Sequence, residues 1–340
     1  MRIDQLTPSK RYSDGISHIV VLLQKIIKDI GFNTSVLADT TQLEEREHII
    51  YHMLLGSHPT KTLDEIKAKN IVLFYHGITP PEYYTNRPEQ HQSLARQKEL
   101  AALKKHFTYA FTTTKHLEKE LHRAGYERTM VLPLPVDPKD YDQEPDARLM
   151  QKNTDDHTNL LFVGQITPDK KLEDIISIFN YYHKKLNSKS RLFLVGNYSA
   201  HPWYSQQLLA LIKELQIKNV FLTGRVSPQQ LLAYYRLSQA FLCMSEYEAL
   251  FGPLTAGMYL RVPIIAFEQA AVQEVLGGAG CLIRDKDIRE TARFLDTIIS
   301  DQAKREEIIN RQLARVNDLR PEKVIPLYRE AFLGAFKVGG

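Results

Sequence analysis

The segment LLFVGQITPDKKLEDII, residues 160–176, sets the architecture of this chain. Four apolar residues, Leu160 to Val163, read as a buried strand. Gly164 then allows a tight turn, and an amphipathic helix begins just after Lys170. Such a turn can offer backbone N–H groups, a helix N-terminus and a lysine to a phosphate. By itself it is equally at home as ordinary strand-to-helix turn chemistry.

The same alternation runs outward in both directions. Downstream, the helix at Leu172 to Leu186 is followed by strand Arg191 to Val195, helix Trp203 to Leu215, strand Val220 to Thr223 and helix Pro228 to Leu237. Strand Ala240 to Met244, helix Pro253 to Leu260 and strand Val262 to Phe267 continue it. Upstream, MRIDQL reads as an opening strand without the apolar core of a signal peptide. A helix over Ile16 to Ile30 stops at Gly31, and strands are expected at Thr34 to Ala38, His48 to His52, Ile71 to Tyr75, Tyr109 to Thr113 and Met130 to Leu134. A helix over Lys115 to Ala124 joins the last two. Repeated β-α-β order calls for mainly parallel sheets with helices on both faces.

Between the two series, Pro138 to Asn159 is polar and lacks apolar periodicity. The expected organisation is therefore an N-terminal Rossmann-like domain over 1–140, a linker over 141–159, and a second such domain over 160–318. A final helix within 319–340 is expected to pack back on the first domain. In two doubly wound halves facing a central cleft, a ligand is expected beyond the carboxyl ends of the strands.

Bulk properties remove several classes. With 43% hydrophobic and 25% charged residues the composition is that of an ordinary globular protein. No apolar run approaches the roughly 18 residues of a membrane span. Cys243 and Cys281, the two cysteines, each lie in an apolar stretch and read as buried reduced thiols, which favours a cytoplasmic location. The net charge of +4 comes with clusters such as Lys104-Lys105-His106 and Lys184-Lys185, which suit solvated faces or an anionic surface. No basic stripe interleaved with aromatics suggests nucleic acid. A Rossmann dehydrogenase is excluded, because no G-x-G-x-x-G follows the opening strand.

A second segment carries candidate chemistry. In SEYEALFGPLTAGMYLRVPIIAF, residues 245–267, Glu248 precedes the Phe251-Gly252-Pro253-Leu254 turn that opens a helix. Its carboxylate could meet ligand hydroxyls or simply cap that helix. Taken in order, the FVG turn with its PxK, Leu192 to Gly196, Thr223 to Arg236, the SEYE turn, RVPIIAF and Gln273 to Gly280 resemble the donor domain of GT-B glycosyltransferases of the large retaining family 4. IIYHMLLGS (Ile49 to Ser57) and VLFYHGITPPEYY (Val72 to Tyr84) resemble paired histidine-bearing strands of members that build surface polysaccharides. LPLPVD (Leu132 to Asp137) resembles their exit from the first domain, so the likeness spans roughly residues 1–285.

The resemblance implies a nucleotide-diphosphate sugar as donor, retention at the anomeric carbon, and no obligatory metal or other cofactor. Lys170 matches the phosphate-binding lysine, with Gly164 and Gln165 in its turn and backbone N–H groups added near Gly252. Glu248 and His76 would face the transferred sugar, Arg225 and Val226 the nucleobase, and the Tyr12-Ser13-Asp14-Gly15 loop the acceptor. His76 also reads as a core histidine, and His52 as a support of the sheet end. The chain departs from the pattern at Gln165, where arginine is usual, at Ala256, where the second glutamate belongs, and at Ala249 and Arg261, where glycines are usual. Loss of a ribose-binding glutamate mainly weakens binding, whereas loss of a cation beside the leaving diphosphate slows transfer. Two readings follow: an active transferase acting on a glycan or lipid-linked acceptor, with peripheral contact at the inner membrane face as an expectation; or a catalytically silent homologue that binds a glycan or a partner glycosyltransferase.

Overall fold

The computed structural model describes residues 1–7, 15–37, 46–53, 63, 66, 68–249 and 251–336, with Gly15, Ile16 and Arg46 described by their backbone alone. Tyr12, Ser13 and Asp14 of the expected acceptor loop lie outside these residues. The chain divides into two compact units, Met1–Pro135 with Leu319–Gly340, and Val136–Asp318.

The first unit begins with β1 (Ile3–Leu6), α1 (Gly15–Asp29), β2 (Val36–Leu37), β3 (Arg46–Met53) and β4 (Ala68–Tyr75). It continues with α2 (Pro88–Leu103), β5 (Tyr109–Thr112), α3 (Lys115–Arg123) and β6 (Thr129–Val131). Its strands form one parallel sheet in the order β2-β1-β3-β4-β5-β6. Helix α1 buries Ile19, Val20, Leu23, Ile26 and Ile27, the stripe that helical spacing creates. It ends where Gly31, at φ 95°, lets its N–H reach Lys28 O (2.9 Å) and the Phe32 N–H reach Ile27 O (3.0 Å). Helix α2 escaped sequence reading because it has no apolar stripe: its buried residues are Ser93, Leu100 and Leu103.

The second unit holds α4 (Ala147–Asn153), β7 (Thr158–Val163), α5 (Leu172–Lys185), β8 (Ser190–Val195), α6 (Pro202–Glu214), β9 (Val220–Gly224) and α7 (Pro228–Leu237). After these come β10 (Ala240–Cys243), α8 (Gly252–Tyr259), β11 (Ile264–Phe267), α9 (Ala270–Leu276), β12 (Cys281–Ile283), α10 (Ile288–Ser300) and α11 (Gln302–Asp318). The sheet is again parallel, ordered β12-β11-β10-β7-β8-β9. Leu160, Phe162, Leu192, Leu194, Leu242 and Ile265 on its strands pack with Ile175, Ile176 and Phe179 of α5 and Leu295 of α10 in one buried core. Helix α7 starts with a full capping box, Ser227 and Gln230 each satisfying the other's backbone N–H.

Residues 141–159, expected as a linker, instead belong to this second unit. Their polar side chains serve folded structure: Asp146 caps α4 by accepting from Leu149 N (2.8 Å). Buried Arg191 donates to Asn159 Oδ1 (2.9 Å) and Asn153 Oδ1 (3.1 Å). A run without apolar periodicity reads as a connection, yet here its side chains satisfy buried donors and acceptors.

The last helix, α12 (Pro321–Ala335), is part of the first unit. Its buried Tyr328 donates to Leu132 O at 3.2 Å, and Phe332 lies 5.8 Å from the Phe111 ring. Among the described residues no helix is long and apolar enough to cross a membrane. Both cysteines are free.

Candidate active site

In each sheet the chain starts on an inner strand, builds one side, and then crosses to build the other. In the second unit that reversal falls between the adjacent strands β7 and β10. Loops leaving the carboxyl ends of two such strands diverge and leave a crevice, the usual ligand position in open α/β sheets. The two sequence segments singled out above are these two loops.

The loop after β7 is held tightly. Gly164 N donates to Val195 O (3.0 Å) and Ile166 N to Asn197 O (3.1 Å). A Cβ on Gly196 would sit 1.7 Å from Gly164 O, so only glycine permits this approach of backbones. A single 3-10 turn, Pro168–Lys170, follows, and Lys171 in the left-handed conformation starts α5. The turn delivers Lys170 across to the β10 loop. Its Nζ donates to Tyr247 O (2.8 Å) and Glu248 Oε1 (2.9 Å) and lies 3.0 Å from Asp169 Oδ2. A backbone bond from Glu246 N to Asp169 O (2.9 Å) ties the loops together.

One ammonium thus faces two carboxylates, with Asp169 only 2% and Glu248 8% exposed. Burial would lower the Lys170 pKa, but Asp169 and Glu248 outweigh it and hold the group above the ordinary lysine range. Burial pushes the Glu248 carboxyl up and outweighs the opposing pull of Lys170, with the nearby Asp169 charge adding to the rise. The cluster therefore carries one surplus negative charge when all three groups are ionised. Lys170 and Glu248 thus both hold a proton more tightly than they would in water.

The remaining expected donor residues sit at the same end of this sheet. Gln165 is exposed in the β7 loop. Phe251 is buried, Gly252 opens α8, Pro253 O accepts from Tyr235 OH (2.8 Å), and Leu254 is in the core. Arg225 and Val226 follow β9, at the sheet edge two strands from β7. Ala256 is buried within α8. Arg261 keeps the backbone of the glycine it replaces: at φ 62° it closes α8 with Val262 N to Gly257 O (2.9 Å) and Arg261 N to Met258 O (3.3 Å).

His76 lies in the first unit, one residue past β4. Its Nε2 is 2.9 Å from Nδ1 of His52 on β3, and His52 Nε2 is 3.0 Å from Gln5 Oε1 on β1. Burial lowers the His52 pKa to about 3, and burial together with His52 drives His76 well below the usual histidine value. Sequence reading passed over Asp169 and Gln5. A carboxylate next to the candidate lysine, and a glutamine inside the opening strand IDQL, were the available signals.

Metal-ligating side chains cluster elsewhere: among the described residues, Asp155, Asp156 and His157 come within 4.8 Å of one another. They precede β7, and the two carboxylates already pair with Arg191 and Lys189.

Two parallel six-stranded α/β units, each with a switch point, define the GT-B class of glycosyltransferase folds. Residues 146–315, half of the chain, match the family of glycosyl transferases group 1, and the chain belongs to that family. Among solved structures it is similar to sucrose-phosphate synthase from Thermosynechococcus elongatus, with a TM-score of 0.75 and 15% identity over 98% of this chain and 100% of that one. Anabaena Alr3699/HepE, in complex with UDP and glucose, gives a TM-score of 0.73 and 14% identity over 99% and 100%. Trehalose-6-phosphate synthase OtsA gives 0.71 and 13% over the full length of both. At such identities the likeness is one of fold. No curated protein sequence matches the chain.

Proposed function

We propose that the chain is a retaining glycosyltransferase of the family 4 kind, moving a sugar from a nucleoside-diphosphate donor to a glycan or lipid-linked acceptor of surface-polysaccharide type. The observation that carries this reading is Lys170, presented by the β7 turn at a switch point inside the family-matched region. Breaking the glycosidic bond loads charge onto the departing diphosphate, and a fixed ammonium stabilises that charge without a metal. Glu248, one hydrogen bond from Lys170, would face the transferred sugar, and the family resemblance gives His76 a sugar-contacting role as well. Arg225 and Val226 would border the base, and the 12–15 segment the acceptor. Solved relatives of the same fold hold UDP or UDP-glucose, which makes a uridine nucleotide the first donor to try. Surplus positive charge falls in the first unit, which suits cytoplasmic work against an anionic membrane face.

The second reading, a silent homologue that binds a glycan or partner transferase, is favoured by one observation. Lys170 is already paired with two carboxylates, while Gln165 supplies no charge to replace the usual arginine.

Calorimetric titration with UDP, GDP, ADP and dTDP tests both. The transferase reading expects one saturable nucleotide. Glu248→Gln, which cancels the surplus negative charge, should tighten that binding by about tenfold, given roughly 3 kcal/mol of unscreened repulsion at ~5 Å before solvent discounting. Lys170→Met in the Glu248→Gln background should abolish it. No binding by any form would leave the silent reading standing.

A further inference from the structure

The buried hydrogen-bond chain from α1 to His76 has a direction. Val20 O can only accept, so Gln5 turns its NH2 toward it, at 3.1 Å. That leaves Gln5 Oε1 facing His52 Nε2, and an amide oxygen also only accepts, so His52 Nε2 carries a proton. A neutral imidazole has a single N–H. His52 Nδ1 is therefore the acceptor in the contact with His76, and His76 Nε2 is the donor. His76 Nδ1 is left as a bare lone pair, buried and without a hydrogen-bond partner among the described residues. The relay crosses β1, β3 and the end of β4, spanning the switch point of the first sheet.

A second orphan stands beside it. Strands β4 and β5 pair with Phe74 opposite Phe111, so His76 and Thr113, each two residues further on, occupy matching positions past the strand ends. Thr113 Oγ1 is likewise buried, with no partner among the described residues. A core histidine held only for packing would be expected to satisfy both ring nitrogens, since each buried unsatisfied polar atom costs about 1–3 kcal/mol.

We propose that Gln5 and His52 are positioning residues that lock His76 in its neutral Nε2–H tautomer, so that Nδ1 accepts a hydroxyl proton from a sugar while Thr113 Oγ1 makes a second hydroxyl contact. The subsite then selects neutral hydroxyl donors and disfavours a carboxylate or a deoxy position, either of which would leave Nδ1 unpaired. The ligand half of this assignment rests on the sugar-transfer reading above; the tautomer half does not.

The test is 15N–1H correlation of the imidazole rings in protein labelled with 15N-histidine, read first without ligand. Both His52 and His76 should show a protonated Nε2 and a bare Nδ1. Gln5→Glu, which still accepts from His52, should preserve the pattern, and Gln5→Met should scramble it. A proton on Nδ1 of either ring, or a pattern indifferent to Gln5→Met, overturns the relay. Adding glucose or UDP-glucose should then move the His76 Nδ1 resonance, and Thr113→Val should weaken that response by about tenfold. If neither probe moves it, the hydroxyl assignment is overturned even where nucleotides bind the second unit.

Discussion

Lys170→Ala would leave Asp169 and Glu248 facing each other below the surface with no cation between them. Each contact, at 2.9–3.0 Å, is worth about 4 kcal/mol or more of gross attraction at an effective dielectric of ~20, most of it offset by desolvation. What remains when one partner of such a buried set is removed is typically about 3–5 kcal/mol of destabilisation, because the stranded charges keep their desolvation cost. Domains are stable by only about 5–15 kcal/mol, so the second unit should stay folded with much of its margin gone. Trp203, the single tryptophan, lies on α6 of that unit and packs against its core, so urea titration followed by tryptophan fluorescence reads the relevant transition. Glu248→Gln added to Lys170→Ala should recover a large part of the loss by removing one of the two anions. The deficit also depends on pH. A carboxyl whose folded pKa is raised costs nothing below its unfolded value, near 4.3 for glutamate, and its cost grows as pH rises toward the folded value. Lowering the pH from 7 toward 5 should therefore narrow the gap between Lys170→Ala and the parent. A loss below about 1 kcal/mol, or a double variant no better than Lys170→Ala, would refute the buried three-charge description.

Arg261→Gly should stabilise the second unit by about 0.5–1 kcal/mol, read by the same urea titration: the left-handed backbone costs a side chain about 1–2 kcal/mol, partly offset by the exposed ion pair to Glu306. A destabilised variant would mean that this pair matters more than the strain. In the first unit, His52 titrates near 3 when folded and near 6.5 when unfolded, so the unfolded chain binds more protons below 6.5 and stability falls with pH. At pH 5 His52 alone costs about 2 kcal/mol, with His76 acting in the same direction. Amide exchange in β3 and β4 should accelerate accordingly between pH 7 and 5, and unchanged protection would argue that the pair is not buried in the neutral form.

Much of the architecture is legible along the chain, because strands, helices and turns are written in neighbours a few residues apart. The Leu160–Val163 run, Gly164 and the α5 stripe needed no tertiary information. Where local signals were weak the reading failed: α2 has almost no apolar face, and the polar stretch carrying α4 looked like a linker because its side chains bond inward. Lys170, Glu248 and His76 could be nominated from family resemblance, but their chemical states could not. Lys170 and Glu248 are 78 residues apart, and only the order that sets β10 beside β7 joins them. Gln5, His52 and His76 are separated by 47 and 24 residues and meet for the same reason. Sequence alone determined the alternating elements and the residue types at the strand ends; tertiary structure alone decided that Lys170 serves two carboxylates and that His76 Nδ1 has no partner among the described residues. Charge balance and tautomer depend on which groups share a buried volume, and strand order, not proximity along the chain, selects those groups.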